Sequence, residues 1–186
     1  MSKRKSPESG AAPVWSVLVA VADVPETGRR LELAADAPSR EAVAKAVGVV
    51  ALLRLAAVFD LMRVGADGLR VAGRVSAKVV QSCVVTLEPI ESEIDEDIAL
   101  VFMPEAALPA DAQDEEGIDT GDDPPEPLRD GVVDLGVVAT EFLLLGIDPY
   151  PRKPDAVFVA ASADDPAAHP FAALAALKKD PTSDKP

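Results

Sequence analysis

Cysteine is nearly absent. Cys83 is the only one among 186 residues, so an internal disulfide is excluded. Histidine is as scarce, with His169 alone, and Cys83 and His169 together fall short of the four Cys or His ligands that a structural zinc usually takes. The longest apolar runs are cut by Arg54, Asp60 and Arg63, so none reaches the roughly 18 uncharged residues of a membrane helix. Met1-Ser2-Lys3-Arg4-Lys5 is a basic start with no apolar stretch behind it, which predicts no secretory signal. What remains is ample apolar material: 48% of residues are hydrophobic, enough for a core in one domain of ordinary size. The expectation is a soluble, cytoplasmic protein with no membrane partner.

The chain carries a net charge of −14, from 32 acidic and 18 basic side chains. The excess is local. Sixteen of the acids fall between Glu88 and Asp130, beside Arg129 as the single base. Outside that window acids and bases nearly cancel. Residues 29–78 hold nine bases (Arg29, Arg30, Arg40, Lys45, Arg54, Arg63, Arg70, Arg74, Lys78) against five acids, so a mildly basic face is available to phosphate. The plainer reading of both charge groups is solvated surface.

Residues 1–12 are small and polar and read as a disordered leader. Val14 to Ala22 predicts a first strand, Pro25 to Gly28 a turn, and Arg29 to Ala34 a second strand. Pro38-Ser39 opens a helix with Ser39 as cap, and Gly48 ends it. Within Ala51 to Arg63 the odd positions Ala51, Leu53, Leu55, Ala57, Phe59 and Leu61 form an apolar face. After a four-residue turn at Gly65–Gly68, the next strand turns Val71, Gly73, Val75, Ala77, Val79 and Cys83 inward and Arg70, Arg74, Lys78 and Ser82 outward. Leu87-Glu88-Pro89 closes it, and a third strand follows with Ile90, Ile94, Ile98, Leu100 and Phe102 inward and Glu91, Glu93, Asp95 and Asp97 outward. A turn centred on Thr86-Leu87 places Lys78 opposite Asp95 and Ser82 opposite Glu91, pairing bases with acids across strands.

Residues 105–130 combine proline with acids and read as a flexible loop. Asp119 to Asp123 lacks the spacing of a calcium loop. Asp134 then caps a helix with Leu135, Val138, Ala139, Phe142 and Leu145 on its apolar stripe, stopped by Gly146. Asp148 to Pro154 reads as extended, Val157–Val159 as a short last strand, and Pro170–Lys179 as a short helix within a mostly disordered tail. The resulting division is a leader at 1–12, one domain at 13–160 and a tail at 161–186. The fold class is α+β: an antiparallel meander, open or partly rolled, packed by two helices.

Nothing in this pattern builds an active site. Cys83 on an apolar strand face is a small, inert core residue, and His169 lies in the tail without a scaffold. No phosphate-binding glycine spacing occurs, and the carboxylates lie on exposed surface where nothing separates their pKa values. The reading is of no catalytic residue, no metal, no cofactor and no small-molecule substrate.

Motif order goes further. Cys83-Val84-Val85-Thr86-Leu87-Glu88-Pro89 ending an alternating strand, then Leu100 to Glu105, then Asp130 to Gly136 with Asp134-Leu135-Gly136, Glu141 to Leu145, and Asp148-Pro149-Tyr150-Pro151-Arg152 occur in one order. In this the chain resembles the YceD-type family, named for accumulation of large-subunit ribosomal RNA. The resemblance covers residues 70–158 well and extends more faintly back to Trp15. It marks Cys83, Leu87, Glu88, Pro89, Asp134, Leu135, Gly136 and Pro149 as family positions with a structural or binding role. Where many members carry a second cysteine this chain has Thr86, and Arg152-Lys153 stand where others often place a late one. Whatever metal such relatives hold, these ligands are missing here.

The resemblance implies a non-enzymatic factor supporting synthesis, processing or stability of large-subunit ribosomal RNA. Two routes stay open. One is direct contact with ribosomal RNA or a pre-ribosomal particle through Arg54, Arg70, Arg74, Lys78, Arg152 and Lys153, with Arg63 beside them. The other is an acidic escort or scaffold for a basic ribosomal protein or assembly factor, engaged through the 105–130 loop and the outer strand face. Concentration of half the acids in one segment favours the second.

Overall fold

Runs of valine, leucine and isoleucine at alternate positions make strands, and here three long ones dominate. The computed structural model describes residues 14–105 and 124–158. The leader at 1–12, the acidic stretch 106–123, Val159, His169 and the helix expected at Pro170–Lys179 lie outside the described residues. Strands β1 (Leu18–Ala20), β2 (Arg29–Ala34), β3 (Ala51–Val64), β4 (Gly68–Ser82), β5 (Pro89–Pro104), β6 (Glu126–Leu128) and β7 (Val132–Asp134) are joined by helices α1 (Ala37–Val47) and α2 (Leu135–Gly146). A five-stranded sheet runs β2-β3-β4-β5-β6, and β1 pairs with β7 in a small second sheet. All neighbours are antiparallel except β5 and β6. The architecture is α+β, an open sheet not closed into a barrel, with two helices among the described residues.

The inner face carries Leu55, Phe59, Leu61, Leu69, Val71, Val75, Val79, Ile94 and Ile98, which join Val43 of α1 and Leu135, Val138 and Leu143 of α2 in one core. Gly73 sits in β4 opposite Phe59 of β3, and a Cβ there would lie 2.1 Å from the Val58 carbonyl oxygen. Absence of a side chain is what lets the two strands approach at that point.

Several local expectations need correction. The first strand shrinks to three residues because Val21–Asp23 coil into a single 3₁₀ turn. Helix α1 is capped by Asp36, whose carboxylate accepts from the Ser39 amide, so Ser39 is the capped residue and not the cap. Gly48 does end it, at φ +77°. A bulge between Leu52 and Arg54 reverses parity at the start of β3, burying Leu52 and exposing Leu53. Val64 pairs with Gly68, so the β3–β4 turn has three residues, Gly65–Asp67.

Lys78 stands opposite Glu93 and Ser82 opposite Pro89, because the β4–β5 turn centres on Val85-Thr86 and not one residue later. The segment read as loop contains β6, held parallel to β5 through Phe102–Pro104, with Leu128 buried. In the second half of α2 the buried leucine is Leu143; Leu145 is exposed. Gly146 is the helix's last residue, needed for close approach: a Cβ there would lie 2.5 Å from Ile94 Cγ2. Asp148 accepts from the Tyr150 amide at 2.8 Å, which turns the chain where an extended run was expected, and Val157-Phe158 form no strand.

Candidate functional site

The family positions other than Pro149 fall into two structural joints, and the basic candidates divide between the outer sheet face and one of those joints. Asp134 makes the first joint. Its Oδ1 accepts from the amides of Gly136 (3.0 Å) and Val137 (3.3 Å), capping α2, and from the Val17 amide at 2.8 Å; its Oδ2 accepts from the Ser16 hydroxyl at 2.5 Å. Leu135 is fully buried and its amide bonds the Val17 carbonyl. A Cβ on Gly136 would meet the Trp15 carbonyl oxygen at 2.6 Å. The Asp-Leu-Gly triplet therefore locks the start of α2 onto residues 15–17, and each member has a packing reason to be what it is.

The second joint is the turn Cys83–Glu88. Cys83 was expected on the apolar face of a strand, but β4 ends at Ser82 and Cys83 lies outside the apolar cluster. Its amide bonds the Glu88 carbonyl, the Leu87 amide returns to the Cys83 carbonyl, and the Val84 amide bonds the Pro151 carbonyl. Pro151, sixty-seven positions beyond Val84 in sequence, is thereby docked on the turn and buried.

The thiol has no solvent exposure. Donors converge on it: chiefly the Thr86 hydroxyl, then the amides of Lys153, Thr86 and Val85, which together pull its pKa down to about 6. The resemblance expects further cysteines at Thr86 and at Arg152-Lys153, and the fold brings Thr86 and the Lys153 backbone to Cys83. Among the described residues no three His, Cys, Asp or Glu side chains converge as metal ligands would.

Glu88 and Lys153 fasten this joint, with Nζ 2.7 Å from Oε2. That contact holds the Glu88 carboxyl below its ordinary value. Leu87 adopts φ +60° and is 77% exposed. Pro89 opens β5 opposite Ser82, and Pro149 is exposed beyond α2. Arg152, one residue past Pro151, is exposed.

The remaining basic candidates project from the outer sheet face, where carboxylates meet them. Arg54 reaches over Lys78 to Glu93 at 2.9 Å, Arg74 meets Asp97 at 2.8 Å, and Lys78 slants to Glu91 at 2.7 Å. The Glu91 contact raises the Lys78 pKa above its ordinary value. Arg30 on β2 joins them through Asp60 at 3.0 Å, an ion pair the sequence reading missed because β2 and β3 are separated by α1. Among the described residues Arg70 takes no carboxylate. Arg63 donates to the Ala66 carbonyl in its own turn.

No helix among the described residues is long and apolar enough to cross a membrane. The model of a family described as large ribosomal RNA subunit accumulation protein YceD matches residues 71–178, more than half of the chain. The match takes in the Cys83–Glu88 turn, Pro151, the Asp134-Leu135-Gly136 triplet and the whole of β5, while Trp15–Val17 lie outside it. No curated protein and no solved structure matches the chain.

Proposed function

From the premise that the chain belongs to the YceD family of large ribosomal RNA subunit accumulation proteins, we propose that it supports that accumulation without catalysis, in the cytoplasm, as an acidic escort for a basic ribosomal protein or assembly factor. The observation that carries this reading is the pairing on the outer sheet face. Arg30, Arg54, Arg74 and Lys78 each already hold a carboxylate. A phosphate arriving there displaces an existing partner and meets the repulsion of Glu91, Glu93, Asp95 and Asp97, so the stripe that suggested RNA contact is neutral at best. A basic polypeptide meets the opposite balance: acids on β5, and a further seven carboxylates with no base between Asp111 and Asp123.

Direct RNA contact keeps two well-placed bases, Arg70 and Arg152, both exposed and neither holding a carboxylate among the described residues. Titrating the full chain with a large-subunit ribosomal RNA fragment and with basic ribosomal proteins, over a range of salt, separates the two. The escort reading expects capture of basic proteins that weakens with salt, and no RNA affinity that responds to Arg70→Ala, Arg74→Ala or Lys78→Ala. RNA binding that falls steeply with salt and disappears in those variants overturns it.

A further inference from the structure

We propose that the edge of β5 facing away from β4, over residues 90–101, is the docking site, and that its occupant is an extended basic segment of the client that adds to the sheet as a further strand. The proposal deepens the escort reading and rests on it. Strand β5 pairs with β4 without interruption from Pro89 to Phe102, whereas on its other side the only strand pairing among the described residues is Phe102–Pro104 with β6. Along residues 90–101, every second amide and carbonyl therefore points away from β4 without a backbone partner among the described residues. Natural edges are usually blunted by short length, proline or a bulge. The opposite edge, β2, is six residues long and carries Arg29 and Arg30. Between residues 90 and 103 β5 has no proline, and its register shows no shift.

The safeguard that β5 carries among the described residues is charge, and that charge selects a partner. Glu91, Glu93, Asp95 and Asp97 stand at alternate positions on the outer face, all exposed. Glu91, Glu93 and Asp97 are shared with β4 or β3 bases, while Asp95, opposite Ser76, holds no cation among the described residues. A second copy pairing edge to edge brings acids against acids and is repelled. A segment with lysine or arginine at every second position sets its charges beside this row. Its intervening side chains fall on the inner side, where α2 ends against Ile94 and Glu96 and leaves Leu144 and Leu145 exposed. The favoured occupant alternates basic and apolar residues.

The test uses the full chain, isotope-labelled, with two twelve-residue peptides of equal composition: one alternating lysine and valine, the other six lysines followed by six valines. Amide exchange across residues 90–101 is followed by NMR. Strand addition expects fast exchange at alternate amides of the free chain, at least tenfold slowing with the alternating peptide only, and about tenfold weaker binding by Asp95→Lys at low salt. Asp95 is exposed and holds no cation among the described residues, so that variant keeps the fold. Binding of both peptides alike, with no slowing at 90–101, overturns the edge site and leaves the escort reading standing. Alternate amides already slow in the free chain overturn it as well, since another part of the chain then covers the edge. Failure of both peptides and of basic ribosomal proteins to bind, with RNA bound instead, overturns both readings together.

Discussion

Cys83 shows how a single residue can be correctly judged buried and wrongly placed. Its sequence position continues the apolar parity of β4, but its sulfur is enclosed by hydrogen-bond donors: the Thr86 hydroxyl and the amides of Val85, Thr86 and Lys153. Those donors favour the thiolate, drawing the pKa from 9.0 to about 6. A folded value below the unfolded one means that the native state binds fewer protons between them. Stability therefore rises with pH across about 6 to 9, is fully present above, and is lost as pH falls through the lower value. Urea unfolding across that window should show this slope in the wild type and lose it in Cys83→Ala. Thr86→Val should move the thiolate's ultraviolet titration upward, back towards the ordinary thiol. Asp134 makes a different prediction: its four accepted bonds tie α2 to residues 16 and 17, so Asp134→Ala should lower unfolding free energy by about 1–3 kcal/mol in denaturant melts. The cap was legible in the sequence because a cap and its helix are neighbours. The thiol's surroundings were not, because Lys153 is brought to Cys83 only by the docking of Pro151.

Elements were legible in proportion to how local their causes are. Strands β2, β4 and β5 follow the alternation of their own residues, and the Arg29–Ala34 strand appears with the bounds its pattern suggested. The bulge at Leu52–Arg54, the one-residue displacement of the β4–β5 turn and the short strand β6 follow from partners elsewhere in the chain, which periodicity does not record. Glycine gives the clearest element-scale test. Gly73 reads in sequence as one more inward position of β4, equivalent to Val71 or Val75. In the sheet it lies close against β3, and a Cβ meets backbone at Val58 that no rotamer change relieves. Gly73→Ala should therefore destabilise by about 2–4 kcal/mol, although it adds a single methyl to an apolar face. Equal stability of this variant and the wild type in chemical denaturation would show that the sheet flexes there instead.

At the scale of the whole molecule, charge separates what holds the fold from what finds a partner. The ion pairs of the outer face are exposed, and each such pair contributes only about 0–1 kcal/mol to stability. Their larger effect is on recognition, since they consume the bases and leave the acids as the uncompensated sign. Asp111, Asp114, Glu115, Glu116, Asp119, Asp122 and Asp123 supply half of the net charge of −14 with no base among them. A field of that sign acts at long range in dilute salt and is screened beyond about 8 Å at physiological ionic strength. If the chain escorts a basic client, these seven acids govern how fast the two meet more than how tightly the sheet holds together. Replacing all seven by Asn or Gln should slow association with a basic ribosomal protein about tenfold or more at low salt, and barely alter the dissociation rate. The difference should vanish near 1 M salt, where the screening length drops to about 3 Å, and the melting temperature should change little. An unchanged association rate at low salt, measured in stopped flow against the wild type, would remove long-range attraction from the escort mechanism and leave recognition to the short-range contacts of β5 alone.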